Sequence, residues 1–126
     1  TGHLTFATLH TNSAAQTITR IVDAFPAHQQ SQIRTQLSLV LEGIVCQALL
    51  PKASGSGRVA SLEILVANPA IRNLIREDKV AQMYSAIQTG GALGMQTLDM
   101  CLKGLLAKGM ISRESAREKA KIQENF

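Results

Sequence analysis

A strand-type alternation that follows a glycine–serine turn is the feature that most constrains the fold. Between residues 59 and 66 the side chains form two alternating sets, which is the two-residue period of a β-strand. Ser54-Gly55-Ser56-Gly57 stands before this stretch as a turn sequence, and Leu49-Leu50-Pro51 precedes the turn. The sequence therefore predicts a β-hairpin, in a chain whose other apolar residues mostly follow helical spacing.

Two helices and a further strand are predicted before this hairpin. A first helix has N-cap residues at Thr11-Asn12-Ser13 and is ended by Pro26. Apolar residues at three- and four-residue spacing predict a longer helix from Gln30 to about Ala48. The nearly continuous apolar run Leu4–Leu9 suits a buried strand of a parallel sheet.

A small all-helical region is predicted from Asn68 onward. Asn68-Pro69 combines an N-cap residue with proline at the first helical position. Later helices are predicted to end at Gly90-Gly91 and at Gly109, and Ser112 caps a final polar helix that reaches about Lys121. We therefore predict an α/β chain in which the strands come first and helices follow.

The composition is that of one globular domain with an aliphatic core. The 126 residues are 45% hydrophobic and 17% charged, and an aromatic content of 3% leaves Leu, Ile, Val, Ala and Met to fill the interior. No apolar run approaches the roughly 18 residues of a transmembrane helix, so none is predicted. Cys46 and Cys101 are too few and too far apart for a disulfide framework, and reduced thiols are predicted.

A net charge of +4 permits an acidic partner, but the pattern does not favour nucleic acid. Lysine and arginine are scattered, and Tyr84 and the three phenylalanines form no stacking platform among basic neighbours. A mildly basic protein without a nucleic-acid partner is the favoured interpretation. Nucleotide or an anionic membrane surface stays open as the partner.

Two histidines among the first ten residues invite a metal interpretation that geometry opposes. Seven residues of extended chain carry His3 about 23 Å from His10, and their odd spacing places the side chains on opposite faces. No metal site is therefore predicted. His10 follows the predicted strand, where open α/β sheets bind ligands, and Thr8 and Thr11 beside it could orient around a phosphate or a water. An exposed loop histidine is the alternative.

Three further groups have a functional and a plainer interpretation. Glu63 could hold Mg²⁺ or activate water, although a solvent-facing place in the strand alternation is favoured. Arg72 and Arg76 lie one helical turn apart and could clamp a phosphate, although a solvated face is favoured. Gly90–Gly94 lacks the Lys-Ser/Thr pair of a phosphate loop and is interpreted as a helix end.

The motifs that usually hold a nucleotide do not occur in these 126 residues. There is no GxxxxGK[ST], no apolar strand ending in paired acids, and no nucleophile in a recognisable elbow. The chain alone is therefore predicted to be catalytically inactive and to need no cofactor. It opens at Thr1-Gly2-His3-Leu4 without a methionine, and we interpret Thr1 as an internal point of a longer protein.

Two motifs carry a resemblance to a known family. Thr1–Asn12 resembles the His box of the secretion and pilus ATPase superfamily, approximately TGHLxxxTLHT, at every fixed position. Ala70–Glu77 reads AIRNLIRE, which resembles the signature of the ATPases that retract type IV pili in twitching motility. Asp78–Gly91 and Ala116–Lys121 resemble the same proteins. The chain is thus similar to the C-terminal half of a retraction ATPase, and AIRNLIRE argues against the assembly and type II secretion ATPases that share the His box.

The resemblance implies a cytoplasmic, hexameric motor, driven by Mg-ATP, that retracts the pilus by acting on a platform protein of the inner membrane. It implies that residues 1–67 belong to a RecA-like P-loop ATPase core and residues 68–126 to a helical subdomain. ATP and Mg²⁺ would then be cofactors of the full-length protein, whose Walker motifs precede the His box. The alternative is a stand-alone, non-enzymatic module that docks on a motor or a membrane platform.

The resemblance also implies roles for single residues. His10 is the first candidate, either for sensing the γ-phosphate or for coupling it to the Walker B carboxylate. His3 is the second candidate, at a subunit interface, and Thr8 and Thr11 are candidates for nucleotide binding. The AIRNLIRE helix is expected to serve retraction rather than hydrolysis, with its apolar side chains docked and its charged ones (at positions 72, 76 and 77) free for a partner. Its eight residues are Ala70, Ile71, Arg72, Asn73, Leu74, Ile75, Arg76 and Glu77.

Overall fold

Six α-helices and a two-stranded antiparallel sheet make up residues 3–126, the part of the chain that the computed structural model describes. Three short 3₁₀ turns, at Val80–Gln82, Gly91–Leu93 and Gln123–Asn125, connect or end helices. The elements in chain order are α1 (Ala14–Asp23), α2 (Ala27–Val40), β1 (Gly43–Pro51), β2 (Arg58–Val66), α3 (Pro69–Arg76), α4 (Met83–Gln88), α5 (Leu98–Ala107) and α6 (Arg113–Lys119).

Side-chain caps fix where four of the helices begin. Ser13, Asn68, Thr97 and Ser112 each accept a hydrogen bond from the backbone N–H three residues further on, which satisfies an amide that has no partner inside the helix. The predicted starts of the first helix, of the helix after Asn68-Pro69 and of the last helix are therefore confirmed.

The predicted hairpin is present, with β1 and β2 in register from Gly43↔Val66 to Pro51↔Arg58. Lys52 N–H donates to the Gly57 carbonyl across the turn (3.1 Å). Gly55 and Gly57 adopt φ values of 81° and 82°, which L side chains rarely adopt, so the glycines of the turn are required there. On the far edge of β2, the main chain of Gln96 pairs with Ile64.

The second helix is shorter than its apolar spacing predicts. It ends at Val40, and the prediction of helix as far as Ala48 is wrong, because these residues form the first part of β1. Gly43 disfavours a helix, and Ile44 and Val45 are β-branched and favour a strand. Pairing with β2 then satisfies their backbone N–H and C=O groups. The helix is predicted because a short apolar run fits both the helical and the strand period.

Residues 3–11 form neither helix nor strand, so the prediction of a buried strand at Leu4–Leu9 is wrong. Leu4 is 80% exposed and Phe6 87%. The sheet within residues 3–126 consists of β1 and β2 alone, so no parallel neighbour offers this segment a ladder of hydrogen bonds. Thr1 and Gly2, which open the His box, lie outside the described residues.

Two apolar clusters form the core. The first joins α1, β2, α3 and α4, and so takes side chains from both sides of residue 67. The second joins the end of β1 to α5, α6 and the last residues of the chain. None of the helices in the described part is long and apolar enough to span a membrane. The members are Ala14, Ile18, Leu65, Ile71, Ile75, Met83, Ile87 and Met95 in the first, and Leu50, Leu102, Ile111, Ala116 and Phe126 in the second.

Candidate functional site

An open groove of about 1290 Å³ lies between residues 3–9 and the start of β1. His3, Thr8 and Thr11 are among the residues that line it, together with apolar side chains of α1, α2 and β1. His10 is exposed and is not part of the lining. Within residues 3–126 neither imidazole forms a hydrogen bond. Of the four candidates in the His box, the structure therefore brings three to one groove and leaves His10 beside them in open solvent.

Thr11 differs from the other three because α1 holds it. Its Oγ1 lies 2.6 Å from Oγ1 of Thr17, and Thr17 donates to the main-chain oxygen of Ser13 (2.9 Å). Thr17 also contacts Sγ of Cys46 in β1 at 3.9 Å. Burial, with a smaller contribution from the charge of Glu63, raises the pKa of the Cys46 thiol, although the contact with Thr17 lowers it. The end of the His box is thus attached to both α1 and the sheet.

The AIRNLIRE segment forms α3, as its spacing predicts. Ile71 and Ile75 are fully buried in the first core cluster, and Leu74 is half-buried against that cluster. Ala70 and Glu77 are exposed. The motif therefore has a buried apolar side and an exposed side, and none of its residues lines the groove.

Arg72 is not free, contrary to the expectation from the sequence. Its Nη1 donates to the main-chain oxygens of Ser38 (2.8 Å) and Leu39 (3.2 Å), in the last turn of α2. Such carbonyls lack partners inside the helix and form the negative end of its dipole, so a guanidinium suits them. Its Nη2 lies 3.7 Å from Oε1 of Glu42, which lines the groove. The motif therefore touches the rim of the groove through this one side chain.

The second arginine of the motif has a different environment. Arg76 is exposed, and its Nη2 donates to Oδ1 of Asn73 on the same helix (3.3 Å). Arg72 and Arg76 thus have different partners, and the less favoured interpretation of a phosphate clamp gains no support. The favoured solvated face holds for Arg76 but not for Arg72. Arg76 and Glu77 remain accessible on the exposed side of α3.

Glu63 is buried, so the favoured prediction of a solvent-facing side chain is wrong. Only 3% of the residue is exposed. Its Oε2 accepts from the N–H of Ala14 (2.7 Å) and its Oε1 from the N–H of Leu98 (3.2 Å). Glu63 shares a strand face with Ser61 and Leu65, and that face is the buried one. The alternation contained the signal, but apolar residues on both faces concealed which was inside.

Asp99 is a second buried carboxylate, and it was not among the residues predicted from the sequence. Its two oxygens accept from the N–H groups of Lys121 (2.8 Å) and Ile122 (3.0 Å), and so hold the end of the chain against α5. Nζ of Lys121 lies 4.3 Å from the ring centre of Tyr84. Burial raises the pKa of the Tyr84 hydroxyl. An acidic residue in the first turn of a helix was the available signal.

The side chains of the His box are the polar groups that the sequence predicts to lie near a nucleotide. The exposed imidazoles and the hydroxyl of Thr8 are polar groups that can contact a phosphate from one side. In the described part of the chain no group of three or more His, Cys, Asp or Glu side chains could hold a metal ion. Both buried carboxylates already accept two backbone hydrogen bonds. Residues 3–126 therefore offer groups that fit contact with a phosphate, and within this range they do not form a site for Mg²⁺.

Comparison with known proteins gives one consistent result. Residues 1–117 match the family described as Type II/IV secretion system protein. The chain is 69% identical over 126 residues to the type IV pilus retractation ATPase PilT of Pseudomonas aeruginosa, covering 100% of this chain and 36% of that protein. It is 53% identical over 126 residues to a twitching motility protein of Neisseria gonorrhoeae, covering 34% of it. The chain thus spans about a third of the length of these relatives.

The fold agrees with the sequence comparison. The structure superposes on the crystal structure of the pilus retraction motor PilT with bound ADP with a TM-score of 0.88 and 49% identity, covering 100% of this chain and 35% of that one. The predicted fold class is confirmed, because helices and a small sheet match the C-terminal part of that ATPase fold. The resemblance seen in the two motifs is likewise confirmed. The chain belongs to the type II/IV secretion system protein family.

Proposed function

We propose that this chain is the sensor and force-transmitting part of a hexameric, Mg-ATP-hydrolysing motor that retracts type IV pili from the cytoplasmic side of the inner membrane. The observation that carries the proposal is its 69% identity, along its whole length, to a type IV pilus retractation ATPase. In this proposal residues 1–67 belong to the ATPase core and residues 68–126 to a helical subdomain. The chain itself would not hydrolyse ATP.

The proposed sensor is the His box. Mg-ATP, held by other parts of the motor, would supply the phosphoanhydride bond that is hydrolysed. His10 is exposed and free to contact the terminal phosphate, with His3 as the second contact and Thr8 and Thr11 as polar neighbours. Thr11 is attached to α1, so a displacement at the phosphate would reach that helix.

The proposed force-transmitting element is α3. Ile71 and Ile75 anchor it in the core, and Arg72 fastens its first turn to the end of α2. The exposed side, which carries Arg76 and Glu77, remains for the inner-membrane platform protein or another subunit. No residue of α3 lines the groove beside the His box. This separation of α3 from the groove supports a role in coupling rather than in hydrolysis.

Replacing His10 tests the sensor. In the intact protein we expect His10→Ala to lower kcat for ATP hydrolysis by about a hundredfold or more, the usual effect of losing a group that acts on the reacting phosphate. His28→Ala is the matched control, because His28 is also exposed but lies on α2. Equal rates for both variants would refute the role of His10.

Replacing Leu74 tests the separation of retraction from hydrolysis. Leu74→Ala removes a half-buried contact of α3 with the core and should alter how the helix is held. We expect twitching motility to be lost while most of the ATPase activity is kept. Loss of both activities in equal proportion would contradict the proposal.

A chain that works without the rest of the motor is the other candidate. A stand-alone module should fold as a monomer. The outer edge of β1 is unpaired within the described residues, and Val45 and Leu49 on that strand are exposed. The isolated chain is therefore expected to self-associate, which favours the motor. Capture of the endogenous protein with an antibody to this segment, followed by intact-mass measurement, separates the two. A species near 13.5 kDa would favour a stand-alone docking module, and a much longer one the motor.

A further inference from the structure

Glu63 lies between the starts of two helices that are distant in sequence. One carboxylate oxygen accepts from the N–H of Ala14, the first residue of α1, and the other from the N–H of Leu98, the first residue of α5. The side chains of Ser13 and Thr97 accept from later N–H groups of the same first turns. Glu63 therefore accepts from the first N–H group of each helix, which these caps do not satisfy. The positive ends of both helix dipoles also face the carboxylate, which offsets the cost of burying it.

The two helices lead to different parts of the molecule. Ala14 follows His10 by only four residues, and the Thr11–Thr17 contact attaches the end of the His box to α1. Leu98 follows Gln96, which pairs with β2, and α5 then runs into the second core cluster through Leu102. A shift of α1 at its first residue must either carry the Glu63 carboxylate with it or break the bond at Ala14. If the carboxylate moves, its other oxygen displaces the start of α5.

We propose that Glu63 is a positioning residue that couples the end of the His box to helix α5. The backbone of β2 holds the residue, so its side chain fixes the starts of both helices relative to one strand and to each other. The proposal rests on the proposed function only in its last step, in which a phosphate sensed at His10 is the cause of the shift. The coupling between the two helix starts is independent of that step.

Amide hydrogen exchange measures the coupling directly. Ser13→Ala removes the hydroxyl cap of α1 without touching α5. We expect the exchange rate of the Leu98 amide, which is distant from Ser13 in sequence, to rise by about threefold or more. In Glu63→Gln, one carboxylate oxygen is replaced by a donor group. Adding Ser13→Ala to this variant should leave the exchange rate of the Leu98 amide the same as in Glu63→Gln alone.

Asn68→Ala is the matched control, since it removes the same kind of cap from α3, which Glu63 does not contact. The Leu98 rate should be the same as in the unchanged protein. An equal rise in Asn68→Ala and Ser13→Ala would mean a general loosening and would overturn the proposal, as would no rise with Ser13→Ala. This comparison stands even if Glu63→Gln fails to fold.

The functional consequence is tested in the intact ATPase. Glu63→Gln should lower kcat by about tenfold while KM for ATP stays within about twofold, because a positioning residue alters a step after binding. A raised KM with unchanged kcat would contradict the positioning role. If His10→Ala leaves hydrolysis unaffected, the proposed sensor fails, while the exchange result decides the coupling by itself.

Discussion

Asp78 shows how a single residue ends α3. Asp78 and Lys79 donate their N–H groups to the carbonyls of Ile75 (3.2 Å) and Leu74 (2.8 Å), the paired bonds of a Schellman motif. This ending needs a left-handed residue, and Asp78 supplies it with φ at 57°, where glycine would be unstrained. Its carboxylate lies 3.4 Å from Nε of Arg34 on α2. Asp78 thus forms an ion pair at a position where glycine would relieve the strain of the left-handed backbone.

Asp78→Gly should therefore stabilise the protein slightly. Relief of left-handed strain is worth about 1 kcal/mol, and the ion pair, whose carboxylate is 62% exposed, contributes less than about 1 kcal/mol. In an Arg34→Ala background, where no ion pair is lost, the gain should be larger. Urea denaturation of the four chains checks this. Destabilisation by Asp78→Gly in both backgrounds would show that backbone strain at position 78 does not limit the stability of the protein.

At the scale of elements, both ends of α3 are joined to α2. Arg72 at the start of α3 bonds the last carbonyls of α2, and Asp78 after the end of α3 pairs with Arg34 of α2. On the other side of α3, Ile71 and Ile75 enter the core. The two helices should therefore move as one body.

Arg72→Ala should cost about 1.5–3 kcal/mol of unfolding free energy, because hydrogen bonds from a charged donor are lost and the carbonyls of Ser38 and Leu39 lose their partner. Arg76→Ala, one turn further on and exposed, should cost less than about 0.5 kcal/mol. Arg72→Lys should restore only part of the loss, since an ammonium lacks the planar fork. Urea denaturation distinguishes the three. If Arg72→Ala and Arg76→Ala lowered the free energy of unfolding equally, the contacts of Arg72 with α2 would not stabilise the packing of α2 and α3.

At the scale of the whole molecule, the first core cluster contains side chains from both sides of residue 67. Ile18 and Leu65 precede that point, and Ile71, Ile75 and Met83 follow it. The second cluster likewise combines Leu50 of β1 with Leu102 of α5. Although the division at residue 67 stays a prediction, packing of this kind favours cooperative unfolding across it.

We accordingly expect one unfolding transition. Ile75→Ala in the first cluster and Leu102→Ala in the second should each lower the free energy of unfolding by about 2–5 kcal/mol, since both side chains are fully buried. Leu39→Ala, at an exposed leucine, is the control and should change it by less than about 0.5 kcal/mol. Far-ultraviolet circular dichroism and Tyr84 fluorescence should give coincident transitions. Two separated transitions would mean that the parts unfold independently.

Local chemistry made much of this fold predictable. Helix caps and tight turns depend on hydrogen bonds and backbone angles within a few residues, so the sequence predicts them. The examples here are the caps Ser13, Asn68 and Ser112 and the turn at Ser54–Gly57. Residues 43–48 were mispredicted because strand pairing, a long-range effect, decided between two periods that both fit. The contacts of Arg72 and Glu63 join positions that are distant in sequence, so no local pattern could reveal them.

The hydrogen bonds of Glu63 have an evolutionary consequence. Its donors are main-chain amides, which every residue type except proline supplies. As far as these bonds are concerned, substitution at positions 14 and 98 is unrestricted apart from proline, while position 63 must keep two acceptor oxygens at that reach. Such a link leaves no covarying pair for a comparison of homologous sequences to detect. Its expected trace is one invariant acid, together with the absence of proline at two positions that are distant in sequence.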